Sequence, residues 1–130
     1  MNEKILIIDG HPVYILKMEG FLKGLTYKNI YLATSGEEGI RLARLRKPDL
    51  VLLSGMLPDL YSHLVCQKIK ESLPNTKIIV QTGLFTDAAQ ISQFKECGAD
   101  VILDRKEKDL FPLQQAIAEF LQAHSPAQTS

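Results

Sequence analysis

The chain has 130 residues, 45% of them hydrophobic and 23% charged, with fifteen Lys and Arg against fifteen Asp and Glu. That length and composition suit one globular domain, large enough to bury about two-thirds of its unfolded surface without staples. A zero formal charge supplies no net field to draw in nucleic acid or an anionic membrane, so neither is expected as a partner of this domain.

Apolar runs and helix punctuation alternate along the chain. Ile5-Leu6-Ile7-Ile8 is a short continuous apolar run, which fits a strand buried on both faces, and it ends in Asp9-Gly10. His11-Pro12 opens a helix, with Pro12 in the first turn where its missing N–H costs nothing. Tyr14, Met18, Phe21, Leu22 and Leu25 recur at helical spacing and predict its inner face. Ile30 to Ala33 reads as a second strand. Ser35 and Glu38 then have the spacing of a capping box at the start of a second helix, which carries Ile40, Leu42, Ala43 and Leu45 and stops at Pro48.

Leu50 to Leu53 is a third apolar strand, followed by a helix from about Leu60 to Leu73. Pro74-Asn75 turns into a fourth strand, Ile78 to Gln81. Thr86 or Asp87 caps the next helix, which carries Ile91 and Phe94 and ends near Gly98. Val101 to Leu103 is the fifth strand, and a last helix from about Asp109 presents Leu113, Ala116, Ile117, Phe120 and Leu121. Residues 1–123 form the domain, and the small polar segment 124–130 is expected to be a flexible tail or the start of a linker.

Continuous apolar strands separated by amphipathic helices predict an α/β, doubly wound, three-layer sandwich built on a parallel sheet. Such sheets bind ligands at the C-terminal ends of their strands. Cys66 and Cys97 lack a C-x-x-C pairing or a His/Cys cluster, so zinc and redox roles are not expected. No run reaches the ~20 apolar residues of a membrane span and no signal region opens the chain, so a cytoplasmic location is expected.

Lys4 to Asp9 followed by His11-Pro12 resembles the opening of a response-regulator receiver domain. Ser35-Gly36-Glu37-Glu38-Gly39, Pro48-Asp49-Leu50-Val51-Leu52-Leu53, Met56-Leu57-Pro58-Asp59 and Gly98-Ala99-Asp100 resemble that family in the same order. The resemblance implies a flavodoxin-like (βα)5 fold with sheet order 2-1-3-4-5. It also implies phosphoryl transfer from a histidine kinase to an aspartate after the third strand. Mg2+ would be held by that aspartate, an acidic pair after the first strand and a nearby carbonyl, while a Thr or Ser and a Lys grip the phosphoryl oxygens.

Several of those positions depart from the pattern. Ser54 stands at the phosphoacceptor position, the acidic pair is Asp9-Gly10, and Arg105, followed by Lys106, stands where the lysine is expected. Thr82 and the carbonyl of Met56 keep their family identity. Ile102 replaces the usual aromatic of the fifth strand. A serine hydroxyl is a poor nucleophile without a base, and one carboxylate is a thin ligand set for Mg2+, whose binding is expected to be weak or absent. With Asp9 alone among cations, an ion pair to Arg105 or Lys106 is expected to fill the pocket.

The expected function is therefore that of a phosphorylation-independent pseudo-receiver, a protein-interaction module in signal transduction rather than an enzyme, with no cofactor and no metal. Its partner would be a signalling protein or an attached output domain. Two alternatives stand beside it: a domain that answers a ligand or ion in the altered pocket, and the receiver part of a longer transcription regulator. Ser54-Gly55 is not the G-x-S-x-G elbow of a hydrolase, and no phosphate loop after the first strand supports flavin binding. Arg41, Arg44, Arg46 and Lys47 read as a solvated helix face, and His63 and His124 as solvated. Ile15 and Leu16 fall outside the predicted inner face of the first helix. With Ile102 they are the candidate interface residues, and a homodimer is one use of them; Tyr61 likewise stands where the family has an acidic or small residue in the loop after the third strand.

Overall fold

Each apolar run becomes a strand because both of its faces find helices to bury. In the computed structural model, which describes residues 2–83, 87–105 and 109–122, the elements are β1 (Lys4–Ile8), α1 (Pro12–Gly24), β2 (Asn29–Ala33), α2 (Gly36–Arg46), β3 (Leu50–Ser54), α3 (Ser62–Ser72), β4 (Lys77–Thr82), α4 (Ala88–Glu96), β5 (Val101–Asp104) and α5 (Phe111–Gln122). The strands form one parallel sheet in the order β2-β1-β3-β4-β5. This is the flavodoxin-like doubly wound architecture.

The pleat divides the apolar runs between two cores. Leu6, Ile8, Val51, Leu53, Ile78 and Val80 face α2, α3 and α4. Ile5, Ile7, Leu50, Leu52 and Ile79 face α1 and α5. Burying one such side chain is worth about 1.5–3 kcal/mol, and removing it from either layer would leave a cavity. This is why the strands show no polar alternation.

The helix ends follow local chemistry. His11 caps α1, its Nδ1 accepting from the Tyr14 N–H at 3.2 Å. Ser35 caps α2 by accepting from Glu38 N–H, but the return bond of a capping box is displaced by one residue: Glu38 Oε1 accepts from Thr34 N–H at 2.8 Å. Instead Asp59 holds this helix start, its two oxygens accepting from Gly36 and Glu37 N–H at 2.8 and 3.0 Å. Those bonds hold its carboxyl below the usual range. The full capping box is at α4, between Asp87 and Gln90. Thr86, the other candidate cap, lies outside the described residues.

Two further motif carboxylates are structural. Asp49 accepts from Lys4 N–H, and Asp100 accepts from Ile78 N–H while pairing with Lys70 at 2.9 Å. Gly98, at φ +106°, makes the turn from α4 into β5. The α3 start falls at Ser62, two residues after the expected Leu60, and the Ser62 hydroxyl donates to the Ser54 carbonyl at 2.7 Å.

The first helix corrects the sequence reading. Ile15 was expected outside the inner face, yet it is only 4% exposed and packs with Met18 and Leu22 against α5. Leu16 is exposed as expected. Ile102 is half-buried against the α2–α4 core, so of the three candidate interface residues only Leu16 stands clear of the fold. His63 is not simply solvated: it is half-buried, stacked on Tyr61 and edge-on to Phe94. Arg41, Arg44, Arg46 and Lys47 are exposed. Residues 124–130, and with them His124 and the expected tail, lie outside the described residues. No helix among the described residues is long and apolar enough to cross a membrane.

Candidate functional site

Parallel strands bring their C-terminal ends to one edge, and there the backbone ladder continues one residue past β1, β3 and β5. Asp9 N–H donates to the Ala33 carbonyl, Gly55 N–H to Gln81 and Arg105 N–H to Thr82, at 3.0, 2.7 and 2.8 Å. The ladder thus fixes Asp9, Ser54 and Arg105 on rigid backbone before their side chains make any contact.

Arg105 joins this edge across the sheet. One of its terminal nitrogens donates to Asp9 Oδ2 at 2.7 Å, and the other to Ser54 Oγ at 3.0 Å. The other oxygen of Asp9 accepts from His11 N–H at 2.9 Å. Ser54 Oγ in turn donates to the Met56 carbonyl at 3.0 Å. Asp9, Ser54 and Thr82 are all less than one-tenth exposed. A guanidinium suits this place because its planar fork reaches two acceptors at once. The ion pair expected from the sequence is present, with Arg105 as the cation; Lys106 lies outside the described residues.

Glycines give the edge its close packing. A Cβ on Gly55 would sit 2.6 Å from Thr82 Cβ, so only glycine lets Thr82 lie against the β3 end. A Cβ on Gly10 would meet Pro58 Cδ at 2.9 Å.

Tyr14 and Gln81 complete the site, and the sequence reading assigned them no role there. The Tyr14 ring lies under the Arg105 guanidinium, 3.5 Å from ring centroid to Cζ, and its hydroxyl accepts from Gln81 Nε2 at 3.2 Å. Burial pushes the Tyr14 phenol above its usual pKa; Arg105 opposes this, Asp9 adds to it, and the Gln81 bond opposes it. One signal was readable in advance: Gln81 is a polar residue closing an apolar strand run, and a buried amide needs a partner. Tyr14 looked like any other inward-facing aromatic.

A family model described as "Response regulator receiver domain" matches residues 5–118. The chain belongs to the response-regulator receiver domain family. Over 83 residues it is 34% identical to the alkaline phosphatase synthesis transcriptional regulatory protein PhoP of Bacillus subtilis, a match covering 64% of this chain and 34% of that protein. The matched stretch therefore spans about a third of the length of these curated relatives. A two-component response regulator from Clostridium difficile superimposes with a TM-score of 0.86 at 29% identity, covering 95% of this chain and 99% of the other. The signal receiver domain of a DNA-binding response regulator protein from Colwellia psychrerythraea gives 0.85 at 26% identity, with 93% and 99% covered.

Receivers of this kind hold Mg2+ with carboxylates, and the side chains of this receiver do not fit that ion. Mg2+ demands near-octahedral oxygen ligands. Asp9 is the carboxylate bonded to Arg105 here, and both of its oxygens are engaged, one by Arg105 and one by His11 N–H. The Met56 carbonyl already accepts from Ser54. A fixed cation stands where a metal would need to approach. Among the described residues, no three His, Cys, Asp or Glu side chains cluster as a metal site.

Proposed function

We propose that this chain is a pseudo-receiver: a phosphorylation-independent interaction module in cytoplasmic signal transduction that performs no reaction of its own. The observation that supports this reading is the Arg105 bridge to Asp9 and Ser54. In a responsive receiver, an excess of clustered carboxylates is relieved by Mg2+ and the phosphoryl group. In this pocket a permanent guanidinium balances a single carboxylate, so neither a divalent cation nor an added anion has a charge to neutralise. Ser54 offers a hydroxyl with no base beside it, bonded instead to Arg105 and the Met56 carbonyl.

Its output is read by a signalling protein or by an attached output domain, through the face formed by α4, β5 and α5 or through the exposed side of α1 around Leu16. The relatives it matches include a transcriptional regulatory protein about twice its length, which fits the receiver part of a longer regulator. A second copy of the chain is another candidate partner for the Leu16 face.

The test is an amide NMR titration with millimolar Mg2+ and then beryllofluoride, paired with intact-mass analysis after incubation with acetyl phosphate. Resonances of Asp9, Ser54 and Thr82 should stay in place, and the mass should not gain a phosphoryl group. Shifts spreading from those residues into α4 and β5, or a phosphorylated mass, would overturn the reading.

A further inference from the structure

On the outer side of α2, cations gather without acidic partners. Arg41, Arg44, Arg46 and Lys47 are all exposed, and among the described residues none of them forms an ion pair. Arg46 lies over the Tyr31 ring of the edge strand β2, at 5.1 Å, and its carbonyl accepts from Lys4 Nζ at 3.2 Å. Lys4 thereby adds its charge to the same end of the helix. Asp49, the acid at this end, has one oxygen committed to the Lys4 N–H.

Helix polarity accounts for part of this arrangement. Arg44 and Arg46 stand in the last turn, where cations answer the negative end of the α2 dipole. It does not account for Arg41, which lies a turn earlier, or for Leu45, which is 63% exposed. Arg41 is a surface neighbour of Arg44 at i,i+3 and of Leu45 at i,i+4. The two arginines repel each other in the free domain, a cost that an acidic partner removes.

We propose that this side of α2 docks an acidic helix of a partner protein, whose apolar stripe receives Leu45. The cations set the sign of the partner, and the leucine sets its class. Arginine beside an apolar anchor is the composition of protein–protein interfaces. A phosphodiester backbone takes cations alone, and a membrane surface takes a whole apolar helix face, which α2 turns inward to the core. Residues 123–130 carry no acidic side chain, so that segment is not the occupant. The surface is apart from the Arg105 bridge, from α1 and from the α4–β5–α5 face, so it stands or falls independently of the reading above.

The experiment titrates the isotopically labelled full chain with a synthetic helix in which Glu flanks a stripe of Leu. In parallel it uses the same peptide with Lys in place of Glu, a thymidine oligonucleotide, and phosphatidylserine vesicles. The acidic peptide should give saturable shifts at the Arg41, Arg44, Leu45 and Lys47 amides, with a dissociation constant on the order of 100 μM for so small an interface. Affinity should fall roughly tenfold between about 0.05 and 0.5 M salt. Arg41→Glu with Arg44→Glu should abolish the shifts, and Leu45→Ser should weaken binding about fivefold. Arg41→Gln with Arg44→Gln serves if the charge reversal fails to fold. Absence of saturable shifts on α2, equal binding of the Lys peptide, or shifts that survive loss of the two arginines would overturn the proposal. So would a Leu45→Ser variant that binds like the parent. Oligonucleotide or vesicle binding at these residues as tight as the peptide's would assign the cations to a phosphate-bearing partner and overturn the acidic helix.

Discussion

Removing the Arg105 side chain tests the bridge directly, because the magnitude can be built from its contacts. Arg105→Ala deletes a charge-assisted bond to Asp9 and a bond to Ser54, worth about 1.5–3 and about 1 kcal/mol. It also deletes the stack on Tyr14, worth about 1 kcal/mol at a partly exposed site. Against these stands the cost of desolvating both ions, which is relieved when the guanidinium leaves. The side chain of Arg105 is 18% exposed and that of Asp9 5%, so the arginine is the partner nearer water. The charge stranded by the substitution is then the deeper one, held by a single backbone N–H from His11.

A net loss of about 3 kcal/mol follows, which lowers Tm by roughly 10 °C in a domain of this size. Asp9→Asn should cost less, about 1–2 kcal/mol, because the stranded guanidinium can turn toward solvent. The double variant should be more stable than Arg105→Ala alone, since it strands no charge. Urea denaturation of the four proteins measures the cycle. A loss under ~0.5 kcal/mol for Arg105→Ala, or additivity within that margin, would refute the argument that these groups act as a unit.

The same glycine-to-alanine change should have opposite signs at two helical sites. At Gly39 a Cβ would lie 2.5–2.9 Å from three carbons of the fully buried Ile8, so Gly39→Ala should destabilise by about 1–3 kcal/mol in urea melts. At Gly20 a Cβ meets nothing within 4 Å inside α1, so Gly20→Ala should stabilise by about 0.5–1 kcal/mol. For Asp59 the folded-state pKa is depressed by the Glu37 and Gly36 N–H bonds. Its contribution is therefore present above the unfolded value of about 4 and is lost as pH falls below it. Asp59→Asn should lower Tm at pH 7, and the gap from the parent should close as the pH is taken below 4; a gap constant with pH would show that the carboxylate charge is not what holds α2.

The apolar runs from Ile5 to Ile8, Leu50 to Leu53 and Ile78 to Val80 determined by themselves a parallel sheet covered on both faces, because no alternation means no face left to water. Local chemistry determined the turns and caps as well: Pro12 opens α1, Ser35 caps α2, and Lys47 at φ 51° before Pro48 ends it. The strand-end residues Asp9, Ser54, Thr82 and Arg105 were legible as a group, since parallel strands must place them on one edge. What α1 does with its surplus of apolar residues was not legible. Tyr14, Phe21 and Leu25 lie on one stripe and Ile15, Met18 and Leu22 on the next, both at helical spacing. Only the docking of α5 on the second stripe decides that Ile15 is core and that Tyr14 sits at the margin, under Arg105. Helical periodicity fixes which residues share a face, but the direction in which that face points is set by the neighbouring helix, and Arg105 lies 91 positions further along the chain than the ring it stacks on.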